Sequence, residues 1–140
     1  MLHRNKKVDD INVDKWVGLG GKFEMGESPE QCLLREVYEE AGVTVRDWRL
    51  RGVVTFVSMG EPDETLCIFI YTVSDFEGEI DFDACTEGTL QWVDTDKVLD
   101  LNLWEGDQLF WSWMLEDRGL FSARFVYDGE VLVKHDVSFY

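Results

Sequence analysis

The sequence predicts an α/β fold in which a mixed β-sheet is sandwiched between helices. Three observations carry that expectation. Apolar runs of strand length interleave with two helical stretches, turn residues bound the runs, and no repeat or linker interrupts the 140 residues. A chain of this length forms one domain, residues 1–140, with room for one substantial core. Its 45% apolar and 14% aromatic content argues for a globular fold and against disorder.

The first helix is read from its ends. Ser28 can cap the exposed N–H groups, Pro29 suits the first helical position, and Gln31 stands where a capping box needs it. Gly42 stops the helix after Ala41, because glycine tolerates the left-handed conformation beyond a helix end. Leu33, Leu34, Val37 and Ala41 share one arc and should face the core. Thr55 to Met59 and Leu66 to Val73 read as strands, with Gly60 to Asp63 as the turn between them. The second of these is apolar enough for a central strand covered on both faces. Leu90 to Val93 reads as a short strand and Thr95 to Leu99 as a helical turn. Asp107 to Asp117 reads as a helix with Leu109, Phe110, Trp113 and Met114 at its apolar positions. Phe121 to Tyr127 and Glu130 to Phe139 complete the chain as a hairpin closed at Asp128-Gly129.

Residues 21–43 concentrate the chemistry. Gly21 is followed by Glu27, then by the run Arg35-Glu36-Val37-Tyr38-Glu39-Glu40-Ala41-Gly42-Val43. Glu36, Glu39 and Glu40 stand at i, i+3 and i+4, so a helix gathers their carboxylates on one face. Like charges so placed repel by roughly a few tenths of a kcal/mol per pair, and a bound cation reverses that sign. Oxygen-only ligands point to Mg²⁺ or Mn²⁺ rather than zinc. His3 and His135 are far apart in the chain, and Cys32, Cys67 and Cys85 form no CxxC pair. Taken alone, the glutamates also read as a solvated helix face, Arg35 as a surface partner of Glu39, and Gly20-Gly21 as an ordinary tight turn.

The whole run resembles the signature of the Nudix hydrolases, with every position filled. That resemblance implies an α/β/α sandwich and hydrolysis of a nucleoside diphosphate linked to a further group. It implies Glu36, Glu39 and Glu40 as ligands of Mg²⁺ or Mn²⁺, joined by the carbonyl of Gly20. Glu36 becomes the expected general base, with Arg35 and Glu27 positioning the set. Glu87, five residues before Trp92, matches a carboxylate that several relatives bring from a loop facing the helix. It stands as a metal ligand, a rival base or a plain loop acid. The family's sheet also has a strand ahead of a segment like Met1–Arg4. The expectation is therefore a first strand missing from a truncated N-terminus, leaving an edge on which a second copy could pair as a homodimer.

Three segments outside the signature are similar to the MutT/MutX-type 8-oxo-dGTP diphosphatases of that family: Trp16 to Lys22, Leu103 to Asp107 and Phe121 to Gly129. This likeness implies a nucleoside triphosphate substrate, 8-oxo-dGTP or another oxidised purine, cleaved to monophosphate and pyrophosphate. It implies base contacts from Trp104 and Asp107. Gly106 and Val17 stand where oxidised-purine enzymes carry a second aspartate and an asparagine. Trp104 offers a stacking surface, worth about 1–3 kcal/mol per base in single-strand binders, or else core packing. Asp107 reads as a purine-edge contact or as helix N-terminal stabilisation. ADP-ribose or a dinucleoside polyphosphate is the alternative substrate, and a non-catalytic nucleotide sensor the alternative class. Such sensors usually lose the box carboxylates that this chain keeps.

A net charge of −16 opposes binding to long nucleic acid or to an anionic membrane. A small nucleotide is anionic too, so metal ions and local cations must meet its phosphates. Arg4, Lys6, Lys7, Lys15 and Lys22 lie near the box in sequence; Arg4 and Lys22 are the expected phosphate contacts, and scattered surface charge is the other reading. No apolar run approaches membrane-spanning length, no signal-peptide pattern is present, and the three cysteines suit a reduced cytoplasmic setting.

Overall fold

A computed structural model describes residues 1–60 and 64–140. The turn expected at Gly60 to Asp63 falls mostly on Glu61, Pro62 and Asp63, which lie outside the described residues. The chain forms two compact units: Met1–Trp48 with Val73–Leu103, and Arg49–Thr72 with Trp104–Tyr140.

In the first unit, β1 (Leu2–His3), β2 (Trp16–Val17) and β5 (Thr89–Leu90) make a small antiparallel sheet ordered β2-β1-β5. Leu2 pairs with Val17 on one side and Leu90 on the other, so β1 is the middle strand. The expected strand at Leu90 to Val93 is confined to Thr89–Leu90. Helix α1 spans Pro29–Ala41 and opens with the capping box read from the sequence. Ser28 Oγ accepts the Gln31 N–H at 3.1 Å, while Gln31 Oε1 accepts the Ser28 N–H at 2.9 Å. Such caps are worth about 1 kcal/mol. Gly42 ends the helix at φ +74°, with its N–H on the Tyr38 carbonyl. Val37 and Ala41 are buried beside Leu2, Val43, Val45, Cys85 and Leu90, and Leu33 and Leu34 pack against that cluster. A 3₁₀ turn at Thr95–Asp100 matches the expected helical turn.

The mixed sheet is the larger one. β3 (Thr44–Met59), β4 (Glu64–Glu77), β6 (Phe121–Asp128) and β7 (Val131–Phe139) are ordered β4-β3-β6-β7. β3 and β6 run parallel from Gly52↔Phe121 to Met59↔Asp128, while β6 and β7 are antiparallel. β3 begins at Thr44, well before the expected Thr55, because the intervening Arg46, Asp47, Arg49 and Arg51 hide the strand behind charge.

β4 overturns the reading of a central, doubly covered strand. It lies at the edge of the sheet, with Leu66 36% and Ile68 40% exposed. An unbroken apolar run fixes strand propensity but not coverage. The hairpin loop is Gly129-Glu130 rather than Asp128-Gly129, since Asp128 pairs with Val131.

Within the second unit, helix α2 spans Glu105–Leu115, two residues earlier at each end than expected. Its Trp113 and Met114 are buried with Val54, Trp104, Phe121, Ala123, Phe125 and Tyr127, and Leu109 and Phe110 pack against them.

Candidate active site

Arg35 organises the polar face of α1. Its Nε donates to Glu27 Oε1 at 2.6 Å and its Nη2 to Glu27 Oε2 at 2.9 Å, a two-point grip across eight residues. Nη1 donates to Glu36 Oε1 at 2.7 Å and, more weakly, to Glu39 Oε2 at 3.3 Å. Nη2 also donates to the Lys22 carbonyl at 3.0 Å, which ties the glycine loop to the helix. Hydrogen bonds from Arg35 pull the Glu27 carboxyl down to about 2, and those same bonds raise Arg35 above its ordinary value.

Gly21 explains why the loop needs a glycine here. A Cβ on Gly21 would lie 2.3 Å from Glu36 Oε1, so the Glu36 carboxylate rests against bare backbone. With that carboxylate held by Arg35, any larger residue at 21 would displace it.

Glu40, 8% exposed, is a buried charged residue. Its Oε1 accepts the Gly20 N–H at 2.8 Å, and its Oε2 accepts the Cys85 thiol at 3.7 Å. Burial raises its pKa to about 7, and the nearby Glu36 charge adds to that shift. No ion pair to Glu40 is formed among the described residues. One donor atom each from Glu40, Cys85 and Glu87 falls within 4.8 Å of the others. Glu87 is in turn held by Arg4 Nη1 at 2.9 Å and Lys7 Nζ at 3.7 Å. Arg4 also grips Asp10 through Nε at 2.5 Å, and Lys6 Nζ donates to the Cys85 carbonyl at 2.8 Å. A buried carboxylate lacking a cationic partner beside a second carboxylate fits a divalent cation.

The expected residues therefore fall into two groups. Arg35 collects Glu27, Glu36 and Glu39; Glu40 sits with Glu87. Arg35 engages Glu36 and Glu39, while the Glu36 charge is near enough to Glu40 to raise its pKa. Gly20 meets Glu40 through its N–H. The Lys22 side chain is exposed, and Arg4 is already engaged in ion pairs.

The other two expected contacts belong to the second unit. Trp104 is 7% exposed and meets the Tyr127 ring edge-on, with centroids 5.6 Å apart. Asp107 is half-buried in the first turn of α2. The Tyr127 hydroxyl accepts the Gly106 N–H at 2.7 Å. A Cβ at Gly106 would lie 2.6 Å from the Phe125 ring and 2.8 Å from that hydroxyl, so an aspartate has no room there.

Cys85 is the site residue that sequence reasoning missed. It lies 45 residues from Glu40, and no spacing motif links the two.

Comparison with known proteins gives the family and the fold. The NUDIX domain family matches residues 1–114. An oxidized purine nucleoside triphosphate hydrolase of Danio rerio is 36% identical over 130 residues, covering 92% of this chain and 81% of the relative. An uncharacterized Nudix hydrolase of Bacillus subtilis is 31% identical over 118 residues, covering 82% and 73%. The crystal structure of a mutator MutT protein from Bacillus halodurans superposes with a TM-score of 0.82 at 31% identity, over 89% of this chain and 82% of that one. By its matched domain, its fold and its filled signature, this chain belongs to the Nudix hydrolase family.

Proposed function

We propose that the protein is a Mg²⁺-dependent nucleoside triphosphate pyrophosphohydrolase acting on 8-oxo-dGTP or another oxidised purine nucleotide. The products are the nucleoside monophosphate and pyrophosphate. The observation that carries the reading is the Arg35 grip on Glu27 and Glu36 next to the buried Glu40. A relative named as an oxidized purine nucleoside triphosphate hydrolase, matching over 92% of the chain, supports the substrate class.

Glu36, Glu39, Glu40 and Glu87, with the Gly20 carbonyl, are the residues that would hold Mg²⁺ or Mn²⁺. When bound, such an ion neutralises phosphate charge and lowers the pKa of a coordinated water. Glu36 is the assigned general base. Its carboxylate is fixed between Arg35 and the Gly21 backbone, so little reorganisation precedes proton transfer from the attacking water. Glu27 acts through Arg35 by holding the guanidinium in place. The exposed Lys22 side chain is assigned to phosphate. Arg4, paired with Asp10 and Glu87, acts on substrate through the Glu87 it positions. Base contacts from Trp104 and Asp107 rest on family likeness. Three free cysteines accord with a reducing, cytoplasmic setting.

A turnover panel in Mg²⁺ tests this function: 8-oxo-dGTP, dGTP, dATP, ADP-ribose and a dinucleoside polyphosphate, with products identified. Preference for 8-oxo-dGTP with release of pyrophosphate is the expected result. Preference for ADP-ribose or the dinucleotide would overturn the substrate while keeping the box chemistry.

A further inference from the structure

Glu40, Cys85 and Glu87 offer two oxygens and one sulfur within 4.8 Å of one another, a donor set different from the all-oxygen box. We propose that Cys85 makes this cluster a binding site for a thiophilic divalent cation, of the Zn²⁺ and Cd²⁺ class. The proposal shares Glu40 and Glu87 with the metal site of the proposed function, and rests on that reading for those two residues.

Mg²⁺ takes oxygen ligands and gains nothing from a thiol. Zn²⁺ and Cd²⁺ bind thiolate strongly, and zinc sites combining cysteine with carboxylate are chemically ordinary. Cys85 is 4% exposed, so its sulfur is committed to the interior. It faces Glu40 at 3.7 Å. Independently of the thiol, Glu40 is more than nine-tenths buried and makes no ion pair among the described residues. A charged carboxylate so placed is stabilised by a cation.

On binding, the metal–sulfur bond replaces the S–H bond and the thiol proton leaves to solvent. Any proton on Glu40 leaves with it. Two carboxylates and a thiolate carry three negative charges against two on the metal. Arg4 on Glu87 and Lys6 on the Cys85 carbonyl offset the remainder. These cations also restrain the segment that supplies two of the three donors.

The test uses Cd²⁺ and Zn²⁺ alone as probes, with no nucleotide present. Cys67 is exposed and would bind soft metals adventitiously, so a Cys67→Ser background carries both arms. With Cys85 intact, one equivalent of Cd²⁺ should produce the ultraviolet thiolate-to-metal absorption. Cys85→Ala, checked for native circular dichroism, should abolish that absorption. It should also weaken Zn²⁺ by at least about 100-fold, the upper range for losing an outer-shell partner. A second variant, Glu87→Gln, retains the sulfur and removes only a half-exposed carboxylate; it should keep the absorption and weaken Zn²⁺. Absence of the absorption with Cys85 intact, or its persistence in Cys85→Ala, would overturn the proposal. A protein that shows the band but turns over no nucleotide fails the proposed function alone. One that turns over nucleotide and shows no band fails this inference alone.

Discussion

Around α1 the buried side chains are small: Leu2, Val37, Ala41, Val43, Val45, Cys85 and Leu90, with the Glu40 carboxylate among the buried residues of that helix. Around α2 they are mostly rings: Trp104, Trp113, Phe121, Phe125 and Tyr127, joined by Val54, Met114 and Ala123. In the second cluster aromatic pairs meet edge-on, Trp113 against Phe121 at 5.2 Å and Trp104 against Tyr127 at 5.6 Å. The Tyr127 hydroxyl there is answered by the Gly106 N–H, and burial pushes its pKa up to about 12. The two clusters thus bury polarity of different kinds. The aromatic one holds a neutral hydroxyl met by a backbone N–H; beside the aliphatic one lies a carboxylate that accepts the Gly20 N–H and the Cys85 thiol but meets no side-chain cation among the described residues. A buried charge is retained against its desolvation cost where chemistry uses it, which is the reason the proposed function puts the chemistry on α1.

Two substitutions bear on this contrast. Phe125 is 1% exposed and belongs to the aromatic cluster, so Phe125→Ala should lower unfolding stability by about 3–5 kcal/mol. Denaturant titration measures that loss, and kcat per folded molecule should be retained, with any change falling on KM through the neighbouring Trp104. A selective loss of turnover at full stability would break the division of labour. Arg35→Ala should do the reverse. It frees Glu27 and Glu36 from their fixed positions, and turnover should fall by about 100-fold through misplacement of the base. The unfolding midpoint should fall less than in Phe125→Ala, because these ion pairs are part-buried rather than core contacts, with Arg35 21% and Glu27 10% exposed. Steady-state kinetics beside thermal unfolding reads both.

Much of α1 was legible because its signals are local. Ser28, Pro29 and Gln31 specify the start of the helix within one turn, Gly42 specifies its end, and all four behave as read. The surface pairing of Arg35 with Glu39 was one of the readings open in the sequence. It exists, but as the longest of the carboxylate hydrogen bonds Arg35 makes among the described residues; the grip on Glu27 is shorter. Family resemblance pointed to that positioning role, which helix spacing alone does not give.

What stayed hidden depends on distant packing. Cys85 meets Glu40 across 45 residues, and nothing near either residue announces it. The run Leu66 to Val73 declared a strand, but its place in the sheet order is set by which partners pair, and β4 lies at the edge. For Trp104 both readings were open, and its near-complete burial shows a residue anchored in the aromatic cluster. Gly106 beside it is explained by space, since the Phe125 ring and Tyr127 hydroxyl fill the volume a side chain would need.

The most direct test of the central claim, that the carboxylates of α1 perform nucleotide hydrolysis, is kcat/KM for 8-oxo-dGTP in Mg²⁺ with Glu36→Gln beside the unaltered protein. Glutamine keeps the shape and removes the base. The account predicts a fall of about 10²–10⁴-fold, the range for loss of a general base, with an unchanged circular dichroism spectrum. Turnover by Glu36→Gln equal to that of the unaltered protein would contradict it.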